Sequence, residues 1–352
     1  MDLITQLAYA LNSGWLAALN LLIDNDVIYL FILLAVVLLG ERRPQKFAKI
    51  IFALVLALLV GYVIKNAFAI ERPCVSLSLP YCPNDYSFPS LHALTAFVVM
   101  IAFLNKKSYW FYSLFALFIS FTRLSLAVHS FRDIAGALAL ALIVYHIVDI
   151  SWSFVFKEVN RYNEKNQNHG NEKNRQFFHI FVGLAALALL LIYGRGFLMA
   201  ATFFILIFGL LFVNLAYLGK RNFLIDWFIR NFERKEVRFP GWGSACYATG
   251  VLLLTTFLTN PSLLAASLIV VALGDGASTL IGMKGKIPLP YNKKKTVEGT
   301  LAFFFFSLPS WFFIGPIAIA ISAAAAFVES LPLPLDDNIS VPLALAGILL
   351  FA

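Results

Sequence analysis

Polar positions in this chain are confined to short breaks between long apolar runs, with one exception. KEVNRYNEKNQNHGNEKNRQ, Lys157 to Gln176, is polar throughout. Charged and amide residues without apolar periodicity are the composition of a solvated linker, and this one divides the apolar runs into two sets. Before it, Val27 to Gly40, Phe47 to Ala69, Leu91 to Leu104, Tyr109 to Phe121 and Ile134 to Phe154 predict membrane spans. Ahead of these, Thr5 and Gln6, Asn12 and Ser13, and Asn20 form one stripe in Leu3 to Ile23. The stripe predicts an amphipathic helix at the interface or a first weak span.

After the linker, Phe178 to Tyr193 and Phe197 to Leu218 predict a hairpin through Gly194-Arg195-Gly196. In the basic segment Lys220 to Arg238, Phe223, Leu224, Trp227, Phe228 and Phe232 predict a helix in the headgroup plane. Ser244 to Leu258, Leu263 to Met283, Leu301 to Phe313 and Ile317 to Val328 predict further spans, and Val341 to Ala352 a short apolar tail. The fold class is therefore an all-α polytopic membrane protein, with two helical transmembrane bundles, 1–156 and 175–352, joined by a polar linker, 157–174.

Composition agrees with the pattern. Of 352 residues 61% are hydrophobic and 13% charged, and the mean hydropathy of +0.82 excludes a soluble globular chain. The formal charge of +8 points to topology rather than nucleic acid, because its Lys and Arg residues cluster in short loops between spans. Counting crossings puts ERRPQK, Asn105-Lys106-Lys107, the linker, Lys220 to Arg238, Lys284 to Glu298 and the Asp336-Asp337-Asn338 loop on one face, which the positive-inside rule makes cytoplasmic. The loops around Arg72 and His129 fall on the other face. Cys74, Cys82 and Cys246 lack metal-site spacing, although Cys74 and Cys82 share one loop and can pair in an oxidising compartment.

Candidate chemistry lies in both halves. In the first, KNAFAIERP (Lys65 to Pro73), PSLH (Pro89 to His92) and TRLSLAVHSFRD (Thr122 to Asp133) put cations and histidines at span ends on one face. Lys65 and Arg72 share a helix face about two turns apart, roughly 10 Å along the axis, and their long side chains can close on one anion. Ser90 is placed to cap the helix opening at Leu91, with His92 in its first turn. Asp133 follows His129 at the spacing that lets a carboxylate hold one imidazole nitrogen, which makes His129 a nucleophile. Arg123 supplies another cation for phosphate oxygens. This half resembles the type-2 phosphatidic-acid phosphatase superfamily. The resemblance implies His129 as nucleophile, Asp133 as its partner, His92 as general acid, and Lys65, Arg72, Ser90 and Arg123 as phosphate ligands. Leu91 stands where the family has glycine, and there it is expected to narrow the approach of a headgroup; Thr122 replaces a serine.

In the second half, Gly274-Asp275-Gly276-Ala277-Ser278 lies inside an apolar span and predicts a broken or closely approached helix. The loop GMKGKIPLPYNKKKTVEG, Gly282 to Gly299, combines glycines and lysines before a helix N-terminus, which suits a polyphosphate. Glu329, Asp336, Asp337 and Asn338 are oxygen ligands on the same face and suit Mg²⁺. Asp275, the Lys294-Lys295-Thr296-Val297-Glu298-Gly299 loop, the late acidic cluster, and Arg175 with His179 resemble the dolichol kinase and phytol kinase family of CTP-dependent polyprenol kinases. The resemblance implies nucleotide binding by Lys294, Lys295, Thr296, Glu298, Gly299, Arg175 and His179, and Mg²⁺ at Asp275, Glu329, Asp336, Asp337 and Asn338. Together the halves predict a bifunctional enzyme of the cell membrane acting on isoprenoid lipid alcohols and phosphates in the bilayer, with CTP and Mg²⁺ serving the kinase half alone. The alternatives are one active half, or a lipid flippase whose charges line a path.

Overall fold

The computed structural model describes residues 1–156, 162–163, 172–220, 223–232, 236–237 and 240–350. Most of the Lys157 to Gln176 run, and part of the Lys220 to Arg238 segment, lies outside the described residues. The chain divides into two compact units, Met1–Glu158 and Val159–Ala352. Both are helical, and the second also holds a pair of two-residue antiparallel strands, β1 (Tyr162–Asn163) and β2 (Glu236–Val237). Among the described residues five helices are long and apolar enough to cross a membrane, or six spans if Gly14–Asp24 and Asp26–Gly40, bent by 86°, count as one. The protein is an all-α polytopic integral membrane protein.

In the first unit α1 (Leu3–Ala10), α2 (Gly14–Asp24), α3 (Asp26–Gly40) and α4 (Pro44–Phe68) precede a single turn, α5 (Pro73–Ser76). Then come α6 (Leu91–Ala102), α7 (Tyr109–Ser125) and α8 (Phe131–Phe156). The axis is α6, LHALTAFVVMIA. A helix apolar all round is stable only when surrounded, and Ala93, Leu94, Phe97, Val98 and Met100 are fully buried beneath α4, α7 and α8. Gly61 lets α4 come close, since a Cβ there would stand 2.6 Å from Leu91 Cδ2. The leucine expected to crowd the headgroup approach is thus seated against Gly61.

The polar stripe of the first segment is divided, with Gln6 and Ser13 exposed while Thr5 and Asn20 turn into the protein, and the helix breaks between α1 and α2. Thr5 and Asn20 are buried. Asn20 Nδ2 donates to Asn12 Oδ1 and Ser125 Oγ, both at 2.8 Å. Thr5 Oγ1 and Asp2 Oδ2 accept from the Phe131 amide at 3.0 and 3.2 Å. The reason is that the first amides of α8 have no partner within their own helix.

The second unit opens with α9 (Glu172–Tyr217), which is interrupted at Gly194. That residue takes φ 80° and ψ 173°, a conformation open essentially to glycine alone. Next is α10 (Phe223–Phe232), whose Phe232 ring stacks on Phe178 of α9 at 4.5 Å. Then follow α11 (Trp242–Phe257), α12 (Pro261–Ile269), α13 (Asp275–Gly282) and α14 (Val297–Ser307). The unit closes with α15 (Trp311–Ile314), α16 (Ile317–Ser330) and α17 (Asp337–Leu349). Helix α11 packs on α9 and α17, and α14 on α13 and α16. Between α12 and α13 the chain makes a π-helical turn, Val270–Gly274, so the span at Asp275 is widened rather than broken. Neighbours crowd it from both sides: a Cβ on Gly274 would meet Ser307 Oγ at 2.4 Å, and one on Gly276 would meet Ile180 Cγ1 at 2.4 Å.

Candidate active sites

The first site gathers at one end of its bundle, where α4 and α7 finish and α6 and α8 begin. His129 is its hub. Its Nδ1 lies 3.5 Å from Asp133 Oδ2, and its Nε2 lies 3.1 Å from Arg72 Nη1. Asp133 is held in turn, because Oδ2 accepts from Ser87 Oγ at 2.5 Å and from the Ser130 amide at 2.7 Å. Burial, with the Arg72 charge beside it, pushes His129 down to about 3, so the ring is neutral. With Nδ1–H facing the carboxylate, the Nε2 lone pair is the one directed at the cations.

Lys65 and Arg72 converge on one anion, and in this structure it is the carboxylate of Asp85. Lys65 Nζ donates to Oδ2 at 2.7 Å, while Arg72 donates to Oδ1 through Nη2 at 2.5 Å and through Nε at 3.0 Å. Arg72 also donates to the Val128 carbonyl at 2.8 Å. Burial raises the Asp85 carboxyl, but Lys65 and Arg72 outweigh it and hold the group below the usual carboxylate range. Ser90 caps α6 by accepting from the Ala93 amide at 3.5 Å. His92, in the first turn, packs on the Tyr29 ring at 4.2 Å. Its Nε2 is buried without a hydrogen bond, and Asp26 Oδ1 stands 3.6 Å away. Arg123 is buried and donates to Asp24 Oδ1 at 2.5 Å and to Thr122 Oγ1 at 3.2 Å. The site's loop also carries the Cys74–Cys82 disulfide, while Cys246 is buried and takes part in no disulfide among the described residues.

Five residues here escape the motif reading: Asp24, Asp26, Tyr29, Asp85 and Ser87. A signal for Asp85 was present, since buried cations require counter-charges and it is the one carboxylate between Glu71 and Asp133. Ser87 has a measurable consequence. Ser87→Ala removes a hydrogen bond from a buried carboxylate, and should lower phosphate release by roughly 10- to 100-fold in kcat/KM while the protein still elutes as folded material in size-exclusion chromatography.

The second site is built from three helix ends. Asp275 opens α13, Glu329 nearly closes α16 and Asp337 opens α17, and one carboxylate oxygen of each lies within 4.8 Å of the others. The loop before α14 folds as a hairpin, with Leu289 N bonded to Lys295 O at 3.0 Å and Val297 N to Ile287 O at 2.9 Å. Its tip docks on α16 through Tyr291 OH to Ser330 Oγ at 2.8 Å and Asn292 Nδ2 to Ser330 O at 2.9 Å. This returns Lys295 to the carboxylates, where Nζ pairs with Glu329 Oε1 and, at 2.8 Å, with Asp337 Oδ2. Burial lowers the Lys295 ammonium, but the charges of Asp337 and Glu329 outweigh it and keep the group protonated well above its ordinary range. Ser278 Oγ donates to Glu329 Oε1 at 3.0 Å. His179 Nε2 stands 3.4 Å from Asp275 Oδ2, and its ring packs on Tyr247 at 4.1 Å.

The remaining candidates sit differently. Asp336 stays out of the triad, because its Oδ1 caps α17 by accepting from the Asn338 amide at 3.1 Å and from Asn338 Nδ2 at 2.9 Å. Asn338 is buried, with Oδ1 left unbonded. Thr296 caps α14 by accepting from the Gly299 amide at 3.2 Å. Glu298 accepts from the Lys286 and Ile287 amides at 2.8 and 3.3 Å, so it fastens the hairpin instead of facing the triad. A side chain on Gly299 would press on Ser278 O at 3.0 Å. Lys294 is exposed, and Arg175 pairs with Glu172 of its own helix. The triad suits a divalent cation. Its three carboxylates face one ammonium, leaving two formal negative charges, and Glu329 Oε2 is buried without a partner.

Comparison with known proteins finds similarity of two kinds. Residues 46–158 match the PAP2 superfamily, and about half of the chain is similar to curated phytol and farnesol kinases. The chain is 32% identical to undecaprenyl-diphosphatase BcrC of Bacillus subtilis, over 34% of this chain and 64% of the relative. It is 29% identical to a probable phytol kinase 2, chloroplastic, of Oryza sativa subsp. japonica, over 51% of this chain and 66% of the relative. Farnesol kinase, chloroplastic, of Arabidopsis thaliana is 28% identical over 50% of this chain and 65% of the relative. The chain thus spans just under two thirds of each relative's length. No solved structure matches it.

Proposed function

We propose that this protein is a bifunctional enzyme of isoprenoid-lipid recycling. Its first unit removes phosphate from a polyprenyl mono- or diphosphate outside the cytoplasm, and its second phosphorylates a polyprenol from CTP at the cytoplasmic face. The observation that carries the reading is that one chain holds two chemically different sites: cations and histidines around His129, and carboxylates around Asp275.

At the first site the terminal phosphate is bound by Lys65, Arg72, Arg123 and the capped start of α6. His129 Nε2 attacks phosphorus, the bond from phosphorus to the leaving oxygen breaks, and His92 delivers a proton to that oxygen. Asp133 stabilises the ring as it becomes positive. Water, losing a proton to His92, then attacks the phosphohistidine, which frees inorganic phosphate and returns His129 to its neutral form.

At the second site Asp275, Glu329 and Asp337 would hold Mg²⁺, which when bound neutralises charge on phosphoryl oxygens. Lys295 contributes a positive charge at the edge of the same triad. A carboxylate of the triad takes the proton of the lipid hydroxyl as its oxygen attacks the terminal phosphorus, and CDP leaves.

Sidedness rests on the loop cations and is supported by the Cys74–Cys82 disulfide, a bond at home in an oxidising compartment. Opposite faces make the pairing productive, because a neutral alcohol crosses a bilayer far more readily than its phosphate. The test supplies purified protein with CTP, Mg²⁺ and polyprenol, and separately with polyprenyl diphosphate. EDTA is expected to abolish lipid phosphorylation and to spare phosphate release. Absence of lipid phosphate in the first assay ends the kinase reading, and inactivity in both is the result a flippase would give.

A further inference from the structure

We infer that Asp85 is a specificity latch, a carboxylate seated where the substrate's terminal phosphate binds, displaced only by a headgroup of greater negative charge. The inference rests on the phosphatase reading of the first unit and deepens it by naming the anion class the site admits.

Three observations carry it. First, Asp85 engages both cations with both oxygens, Oδ2 on Lys65 at 2.7 Å and Oδ1 on Arg72 at 2.5 Å, which is the bidentate engagement a phosphate would make. Second, the same guanidinium reaches His129 Nε2 at 3.1 Å, so this seat adjoins the nucleophile. Third, burial is one-sided. The side chains of Lys65 and Arg72 are 5% and 6% exposed, and that of Asp85 is 52% exposed. The cations belong to the packed interior, and the carboxylate reaches them from a loop on the solvent side, where it can be exchanged without repacking the bundle.

The exchange sets a threshold. A phosphodiester carries one negative charge, as Asp85 does, so trading one for the other leaves the ion pairing unchanged while the incoming group still loses its hydration. A terminal phosphate carries about −1.5 to −2 near neutral pH, and gains attraction to Lys65 and Arg72 that the carboxylate lacks. Diester headgroups make up the surrounding bilayer surface and vastly outnumber any polyprenyl phosphate. The latch keeps them out of the seat and yields it to a terminal phosphate.

The test is equilibrium binding to the purified full chain in non-ionic detergent, measured by isothermal titration calorimetry. The probes are inorganic phosphate and dihexanoyl phosphatidylglycerol, a soluble phosphodiester. The wild-type protein is expected to bind phosphate at least about tenfold more tightly than the diester. Asp85→Asn should bind phosphate at least about tenfold more tightly than wild type and acquire diester binding, and Asp85→Glu should restore the wild-type order. Equal wild-type affinities for the two probes overturn the latch whatever the variants do. Unchanged or weaker phosphate binding by a folded Asp85→Asn overturns it too, since Asp85 would then only position the cations. Missing phosphatase turnover alongside the expected binding pattern would instead end the phosphatase reading and leave the latch standing.

Discussion

Replacing His129 by alanine is expected to abolish phosphate release from polyprenyl diphosphate, with a loss of at least about 10³-fold in kcat, because no other neutral nitrogen occupies its position. The ring is held from both sides, Nδ1 near Asp133 and Nε2 near Arg72, so truncation removes the nucleophile and leaves its supports in place. A phosphoenzyme readout separates this role from a structural one. Brief incubation with radiolabelled polyprenyl diphosphate followed by alkaline quench should trap an acid-labile, base-stable phosphoryl group on wild type and none on His129→Ala. Full activity in the variant, or label retained on it, would remove His129 from the nucleophile role. Lipid phosphorylation from CTP in the same preparation should be unchanged, since the two sites lie in separate compact units.

The converse variant is Asp275→Asn. It removes one of three carboxylates facing a single ammonium, and so takes away one of the two formal negative charges left for a divalent cation. Lipid phosphorylation should fall by roughly 10²- to 10³-fold, with the Mg²⁺ concentration for half-maximal rate moving upward, while phosphate release stays at the wild-type rate. Unlike Asp275, Asp336 serves to cap α17. Asp336→Asn preserves that cap, because asparagine caps as well as aspartate, and should therefore cost far less. Similar losses in both variants would make the acidic group a diffuse charge rather than a three-residue centre.

Legibility differed between the two sites for a physical reason. At the first, the informative relationships are local. Asp133 lies four residues after His129 at the start of α8, and Ser90 directly precedes the helix it caps; Lys65 and Arg72 also stand close in sequence, but α4 ends at Phe68, so Arg72 reaches the shared anion from the turn beyond the helix and not from the helix face expected of it. At the second, Asp275, Glu329 and Asp337 come from three helix ends far apart in sequence, and motif resemblance alone grouped them with Asp336 and Asn338. The hairpin that returns Lys295 to the triad, and the use of Thr296 and Glu298 to fasten it, have no periodic signature. The inward turn of the Thr5 and Asn20 stripe was hidden similarly. Polar residues on one helix face look alike whether water or the unpaired amides of α8 receive them.

What the sequence by itself determined is the class of molecule, the breaks between apolar helices, the polar run from Lys157 to Gln176 and the local order of each motif. These follow from composition and from the periods of the helix, which act over a few residues. Only the tertiary structure decided the pairing of charges: Asp85 on Lys65 and Arg72, Asp24 on Arg123, Lys295 between Glu329 and Asp337. A buried charge takes whichever opposite charge the packing brings within a few ångströms, because leaving it unpaired in a low-dielectric interior costs several kcal/mol. That partner is a property of the folded bundle, set by helix ends that meet in space.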